Sequence, residues 1–336
     1  MALLLRLSVS DNMLWCFRTA PIRFIVCVVL SVVNTHGFAA NIVVSNERSG
    51  DLVFMNEEGD ITDVVPLCNR PRGMARGTSD TSLFIACSDD NTVVEFDVTS
   101  QSVIRVFPDL PGAMSLAVHP PSSRLFITNE GAAKATVLDM DTGEVLATMP
   151  TGLEPDGIVL DQSGGKIFIA SENAGMVHVF DGDTYQSMGS LITNLRPRRL
   201  AIREDEIWVS SEMGSRVEIF DTSTLQKTDE IIFAPKGFRS EQLTPVDILF
   251  DATGAMAFIA LGSANHVVFV DANTREIIKY ILVGRRPWGL ALTPDNKQLY
   301  VLNGLSDDMT VIDVEKRRPV RTSRTGLVPH SVEIIH

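Results

Sequence analysis

The sequence predicts an all-β fold: a seven-bladed β-propeller of four-stranded antiparallel blades, closed by N- and C-terminal strands that share one blade. Three observations predict it. A motif of apolar, any, apolar, apolar, aspartate, followed by a polar turn, ends at Asp97, Asp139, Asp181, Asp221, Asp271 and Asp313, with Asn56 in the same place in the first unit. The spacings are 41, 42, 42, 40, 50 and 42 residues, and a period of roughly 40–45 residues with several short strands marks a propeller blade. Finally, a proline opens an extended run in each unit, at Pro71, Pro111, Pro155, Pro197, Pro245, Pro287 and Pro329.

Residues 1–39 read as a secretory leader. Arg18 and Arg23 precede an apolar run from Phe24 to Val33, and Gly37 and Ala39 put small residues ahead of a cleavage before Ala40. Met13 is a plausible start. The apolar run is about half of the roughly 20 residues that span a bilayer, so no stable membrane insertion is expected after cleavage; an uncleaved anchor is the competing reading. Export to an oxidising, periplasmic compartment follows. Cys16 and Cys27 leave with the leader, and Cys68 and Cys87 remain on one face of neighbouring blades. They are either a disulfide or two buried thiols, since sequence does not give the Cα separation that bonding requires.

Net charge is −13. Removing Arg6, Arg18, Arg23 and Asp11 with the leader takes it to −15, which opposes a nucleic-acid partner. The remaining 40–336 form the propeller domain.

Within a unit, residues 287–313 show the pattern: Pro287 to Leu292, a Thr-Pro-Asp-Asn-Lys turn, Leu299 to Asn303, then Met309 to Asp313. A fourth strand follows each aspartate, as in Glu276 to Leu282. These are strands A to D, counted from the axis outward. Second strands recur at 42–44, 83–86, 125–128, 167–170, 207–210, 257–260 and 299–302, apolar on both faces because blades stack face to face. The motif aspartate opens the C–D turn, where its carboxylate accepts free amides. One per blade on a turn is a structural role. The chain begins with a B strand at Ile42 and ends with an A strand, Ser331 to Ile335, which completes the first blade and removes an open edge.

The residue after each proline is expected at the mouth of the central channel. Around the ring it reads Arg72, Gly112, Asp156, Arg198, Val246, Trp288 and His330. Arg70, Arg196 and Arg286 precede three prolines, and Glu47, Glu130, Glu172 and Glu212 arrive on B–C loops. Two accounts stand side by side. The arginines and glutamates pair with each other and tie blades together, or Arg72, Arg198 and Arg286 bind a planar anion in forks while Trp288 stacks on it. The 50-residue spacing adds about eight residues around Phe233 to Thr244, with Lys236, Phe238 and Arg239. This is either a lid or partner contact beside the channel or a neutral length variant.

No nucleophile elbow, phosphate loop or HExxH is present, so no catalytic residues are named. Nor does a Cys/His cluster mark a metal site; Asp156 with Glu47, Glu130 and Glu172 is the one set of oxygen ligands that suits Ca²⁺.

The repeats Leu299 to Asn303 with Val311 to Asp313, and Ile207 to Glu212 with Ile219 to Asp221, resemble the YVTN family of β-propellers. The stretches Arg70 to Gly73, Glu154 to Gly157, Arg196 to Arg198, Gln242 to Val246, Phe258 to Asn265 and Leu282 to Trp288 are similar to exported propellers associated with PQQ-dependent catabolism. The resemblance covers the mature region and implies an accessory that accompanies quinoprotein alcohol dehydrogenases in the periplasm, with no catalytic residues to carry over. The chain departs from the pattern at Leu110 to Ala113, where an acid usually follows proline, and at Val328 to His330, where an aromatic is usual. Two functions are therefore expected. The first is a non-enzymatic binder of PQQ, or of a quinoprotein dehydrogenase or other periplasmic partner, at Arg72, Asp156, Arg198, Arg286, Trp288 and His330. The alternative is a lactone or ester hydrolase using a channel metal. Acids converging on one axial point favour the hydrolase; acids answered by arginines favour the binder.

Overall fold

Short β-branched and aromatic runs separated by turn residues become strands, and the repeat stacks them radially. The computed structural model describes residues 41–335, so the leader and its Met13 start lie outside the described residues. Among the described residues, the strands form seven four-stranded antiparallel sheets. Blade 1 joins Pro329–Ile335 to Asn41–Asn46, Asp51–Met55 and Ile61–Pro66. Its closing pair runs in register, Ile42 opposite Ile334 and Val44 opposite Val332. Blades 2 to 7 follow in order, each opened by an innermost A strand: Pro71–Arg76, Ala113–His119, Pro155–Leu160, Pro197–Arg203, Pro245–Phe250 and Pro287–Leu292.

The core lies between blades. Large buried side chains on the B and C strands (Phe84, Phe126, Phe168, Trp208, Phe258 and Tyr300 among them) pack against the facing blade, as expected for strands apolar on both faces. The motif aspartates do what their position demands. Asp139 Oδ1 accepts the Asp141 and Thr142 amides at 2.9 and 2.8 Å, Asp181, Asp221 and Asp271 repeat the contact, and Asn56 Oδ1 accepts the Asp60 amide. These hydrogen bonds hold the Asp139, Asp181, Asp221 and Asp271 carboxyls below the usual range.

At the mouth, the residue before the A-strand proline is left-handed rather than extended: Arg70, Glu154, Arg196, Arg286 and Val328 have φ of 56 to 62°. That conformation costs a side chain about 1–2 kcal/mol. It aims the carbonyl at the first amide of the B–C turn: Ser88 N to Arg70 O, Glu172 N to Glu154 O, Glu212 N to Arg196 O and Gly304 N to Arg286 O at 2.9–3.1 Å. The same bond recurs in blade 3 between Glu130 N and Gly112 O, where Gly112 has φ +60°.

This corrects the ring. Gly112 occupies the slot before the A strand, not the slot after the proline. Ala113 pairs with Asn129 as Pro71 pairs with Cys87, so the ring residue of blade 3 is Met114. Cys68 and Cys87 are bonded, with Cα atoms 5.9 Å apart, which decides between the two readings of that pair.

Candidate functional site: the channel mouth

Each A strand carries a β-bulge directly after its first residue; in blades 2, 4 and 5, for example, two residues face one on the neighbouring B strand. Bulges re-aim side chains. Here they turn the first residue of the bulge under the mouth and the second into the channel. Hydroxyls on B strands fix the first set: Ser45, Thr128 and Ser210 donate to the carbonyls of Arg72, Asp156 and Val246 at 2.7–2.9 Å.

The first set is a plug. Arg72, Met114, Asp156, Arg198, Val246 and His330 are buried and Trp288 is half-buried. The structure therefore brings together five of the sequence-predicted site residues, Arg72, Asp156, Arg198, Trp288 and His330, but as a closed layer and not an open ring. Arg72 donates to Met114 Sδ and to Glu130 at 2.8 Å, with Glu47 at 3.6 Å. Arg198 lies 2.9 Å from Asp156, 3.0 Å from Glu172 and 3.2 Å from Glu212. Trp288 is faced by two guanidiniums, Arg198 at 4.7 Å and Arg286 at 5.1 Å from its centroid.

Mutual ion pairing, the first of the two accounts, describes these contacts. The forks of Arg72 and Arg198 are engaged by the protein's own carboxylates, and Trp288 holds cations on its π face where a flat ligand was expected to stack. The Ca²⁺ set fails for the same reason: Asp156, Glu47, Glu130 and Glu172 each contact at least one arginine instead of converging on a point. Among the described residues no group of three His, Cys, Asp or Glu side chains is placed to hold a metal.

Burial and pairing set the charges. Burial favours a protonated Asp156, but Arg199, Arg198 and Arg72 overcome it and hold the carboxyl well below its usual value. Burial wins at Glu172, which is pushed up to about 7 against the pull of Arg198. His330 is held neutral by burial and by the repulsion of Arg72 and Arg199. Several plug atoms have no hydrogen-bond partner among the described residues: Arg72 Nε, Asp156 Oδ2, Arg198 Nε, Trp288 Nε1 and both His330 nitrogens. Asp156 Oδ2 is 2.9 Å from Arg198; the contact is an ion pair without hydrogen-bond alignment.

Above the plug, a cavity of about 500 Å³ opens at the mouth, lined by Arg196, Glu212, Met213, Glu241, Thr244, Ser263 and Arg286. The inserted segment supplies Glu241 and Thr244, so it walls this cavity and leaves closure of the channel to the plug. Phe233 and Leu243 anchor the insertion in the core, and Phe238 packs edge-on against His266 at 5.4 Å. Lys236 and Arg239 are exposed. Glu212 is the focus of the cavity floor. Arg196, Arg198 and Arg286 all reach it, at 3.1, 3.2 and 3.1 Å, so three guanidiniums share one carboxylate.

Below the plug, a second cavity of about 190 Å³ lies in the channel. Its walls are the second bulge residues, Gly73, Ser115, Gly157, Arg199, Asp247, Gly289 and Ser331. Arg199 and Asp247 were not singled out from sequence as channel residues. The signal that finds them is the repeat itself: five of these seven positions are glycine or serine, and two adjacent blades carry a cation and an acid.

No protein-family model matches this chain, and no curated protein matches it. Solved structures share its fold. A functionally unknown protein from Desulfotomaculum acetoxidans superposes with a TM-score of 0.76 at 13% identity, covering 88% of this chain and 99% of that one. A candidate 6-phosphogluconolactonase from Bacteroides fragilis gives 0.73 at 14%, covering 90% and 99%. Streptogramin B lyase gives 0.68 at 14%, covering 88% and 95%. Identities this low carry the fold alone; function rests on the site.

Proposed function

We propose that this chain is an exported, non-enzymatic β-propeller that binds a small polycarboxylate, or the protein that carries it, at the channel mouth. The resemblance to PQQ-associated propellers supports PQQ as that ligand and a periplasmic quinoprotein dehydrogenase as that partner. The observation that carries the reading is Glu212. Three guanidiniums converge on this one carboxylate, and two of them, Arg196 and Arg286, are about a third exposed at the mouth cavity. They have spare donors for a second anion, and about 500 Å³ is within the size range of small-molecule pockets.

The fit to a flat polycarboxylate is therefore one of charge and volume. Arg196 and Arg286 would hold its carboxylates, while Trp288 acts from beneath by holding Arg286 in place. A bound quinone would supply the redox chemistry to its partner enzyme; the propeller's residues bind and orient. A channel-metal hydrolase fits less well, because the acids it needs are answered by arginines.

The test is a thermal-shift titration of residues 40–336 with PQQ and, separately, with Ca²⁺. A ligand at about 100 times its dissociation constant adds roughly 2.7 kcal/mol of stability. A PQQ shift that Arg286→Ala or Arg196→Ala removes supports the reading. A Ca²⁺ shift alone favours the hydrolase, and no shift with either directs the search to a protein partner.

A further inference from the structure

The channel cavity beneath the plug has the makings of a second site, separate from the mouth. The plug closes it from above, and no residue lines both cavities.

Its walls are mostly glycine, serine and aliphatic carbon, which makes the three chemically active groups stand apart. Arg199 extends from blade 5, and one guanidinium nitrogen, Nη1, is engaged by Ser115 and Asp156. Asp247 extends from blade 6; each of its oxygens accepts one backbone amide, Ile248 at 3.0 Å and Leu290 at 2.9 Å, which leaves lone pairs on both. Among the described residues, Arg199 has an ion pair with Asp156 and none with Asp247. The third group is His330, 2% exposed, lining the cavity with neither ring nitrogen hydrogen-bonded among the described residues. Buried polar atoms are rarely left unmatched, and His330 belongs to the lining of a space able to hold a partner.

We propose that this cavity binds a small carboxylate carrying a hydrogen-bond donor on the adjacent carbon, a 2-hydroxy or 2-amino acid. The carboxylate sits on Arg199, the hydroxyl or ammonium donates to Asp247, and His330 completes the polar contacts. A cation and an acid on adjacent blades match the two ends of such a molecule, and a plain carboxylate satisfies one of them. About 190 Å³ has room for a ligand of a few heavy atoms, or for about six waters at roughly 30 Å³ each.

Lactate, alanine and propionate separate these occupants. Each is titrated at millimolar concentration into the protein with isotope-labelled histidine, following the His330 ring by NMR alongside calorimetry. The expected result is that lactate or alanine binds at least about tenfold more tightly than propionate and shifts the His330 ring. The preference between lactate and alanine identifies hydroxyl or ammonium as the donor. Asp247→Asn, which preserves shape, should erase most of the advantage over propionate, and Arg199→Gln should weaken all three. Equal binding of the three probes, or titrations that leave His330 unmoved, would overturn the proposal and make the cavity a water site. Loss of binding in Asp247→Asn and Arg199→Gln, neither of which lines the mouth cavity, separates this site from carboxylate binding at Arg196 and Arg286.

Discussion

Replacing Arg198 with methionine tests the plug most directly. The side chain is buried, and its guanidinium answers Asp156, Glu172 and Glu212 at 2.9, 3.0 and 3.2 Å. Removing one partner of a buried ion pair costs roughly 3–5 kcal/mol, because the other charge is left uncompensated. Three carboxylates lose a partner here, but not their last. Asp156 keeps Arg199 at 3.4 Å, and Glu172 and Glu212 keep Arg196 at 2.6 and 3.1 Å. The loss should therefore stay near about 3–5 kcal/mol, a large part of the roughly 5–15 kcal/mol that holds a domain together. Its pH dependence is the sharper signature. Burial pushes Glu172 up to about 7 in the folded protein, with Arg198 opposing, and removing that opposition raises it further. A carboxyl raised by folding contributes stability below its unfolded value and loses it as pH rises through the folded value. The deficit should be greatest at pH 8 and at least about 1 kcal/mol smaller at pH 5.5, where Glu172 is protonated. Urea unfolding at the two pH values, followed by circular dichroism, measures both. A loss below about 1 kcal/mol at pH 8, the range of an exposed pair, or equal deficits at both pH values, would refute the reasoning.

Deleting Ser331 to His336 removes the strand that closes blade 1, with Val332, Ile334 and Ile335 all buried. At about 1.5–3 kcal/mol per side chain, this rivals the whole stability, so the truncated protein should melt far lower and scatter light as it aggregates; an unchanged melt would sink the closure. Glu333→Gln should raise stability at pH 8 by about 1–2 kcal/mol and leave it unchanged near pH 4.5, because burial pushes this carboxyl up to about 7 despite Arg76 at 3.6 Å. A melt identical to wild type at both pH values would count against it. Reducing the Cys68–Cys87 bond, which spans a sequence separation of 19, should cost about 3 kcal/mol, seen as a lower melting temperature with reductant; insensitivity would show that the loop is held by its other contacts.

The architecture was legible because a repeat states the same physical requirement seven times. An aspartate that must accept turn amides, a B strand buried on both faces and a chain that starts on B and ends on A each leave a periodic mark, and the described strands follow those marks. The site was legible only in part. Arg72, Asp156, Arg198, Trp288 and His330 do assemble, since a 42-residue period puts them at equivalent positions. What periodicity could not give was the partner of each charge. Whether Arg198 faces a ligand or three carboxylates depends on side-chain reach across blades, and the spacing of Glu172 and Glu212 from it does not encode that distance. Blade 3 misled for a simpler reason. Pro111 looks like the other prolines, but Gly112 takes the left-handed slot before the A strand, so the frame moves by two residues and Met114 replaces Gly112 in the ring.

The same period that located the plug explains why the channel below it carries chemistry at two positions. A Cβ on Gly73, Gly157 or Gly289 would lie 2.5, 2.4 or 2.6 Å from a backbone oxygen of the next innermost strand, at Met114, Arg198 or His330. At these three places the neighbouring backbone enforces glycine, so their identity reports packing. Arg199 and Asp247 occupy the equivalent positions of blades 5 and 6, and Asp247 also draws in the Leu290 amide of blade 7 at 2.9 Å. Packing asks for a small residue there and receives two charged ones, one of them with its carboxyl pushed up to about 6 by burial while Arg199 opposes. Introducing such groups into a narrow channel costs desolvation that glycine or serine would avoid. Arg199 and Asp247 bear this cost where their symmetry mates do not, which is the asymmetry that the ligand proposed for the channel accounts for.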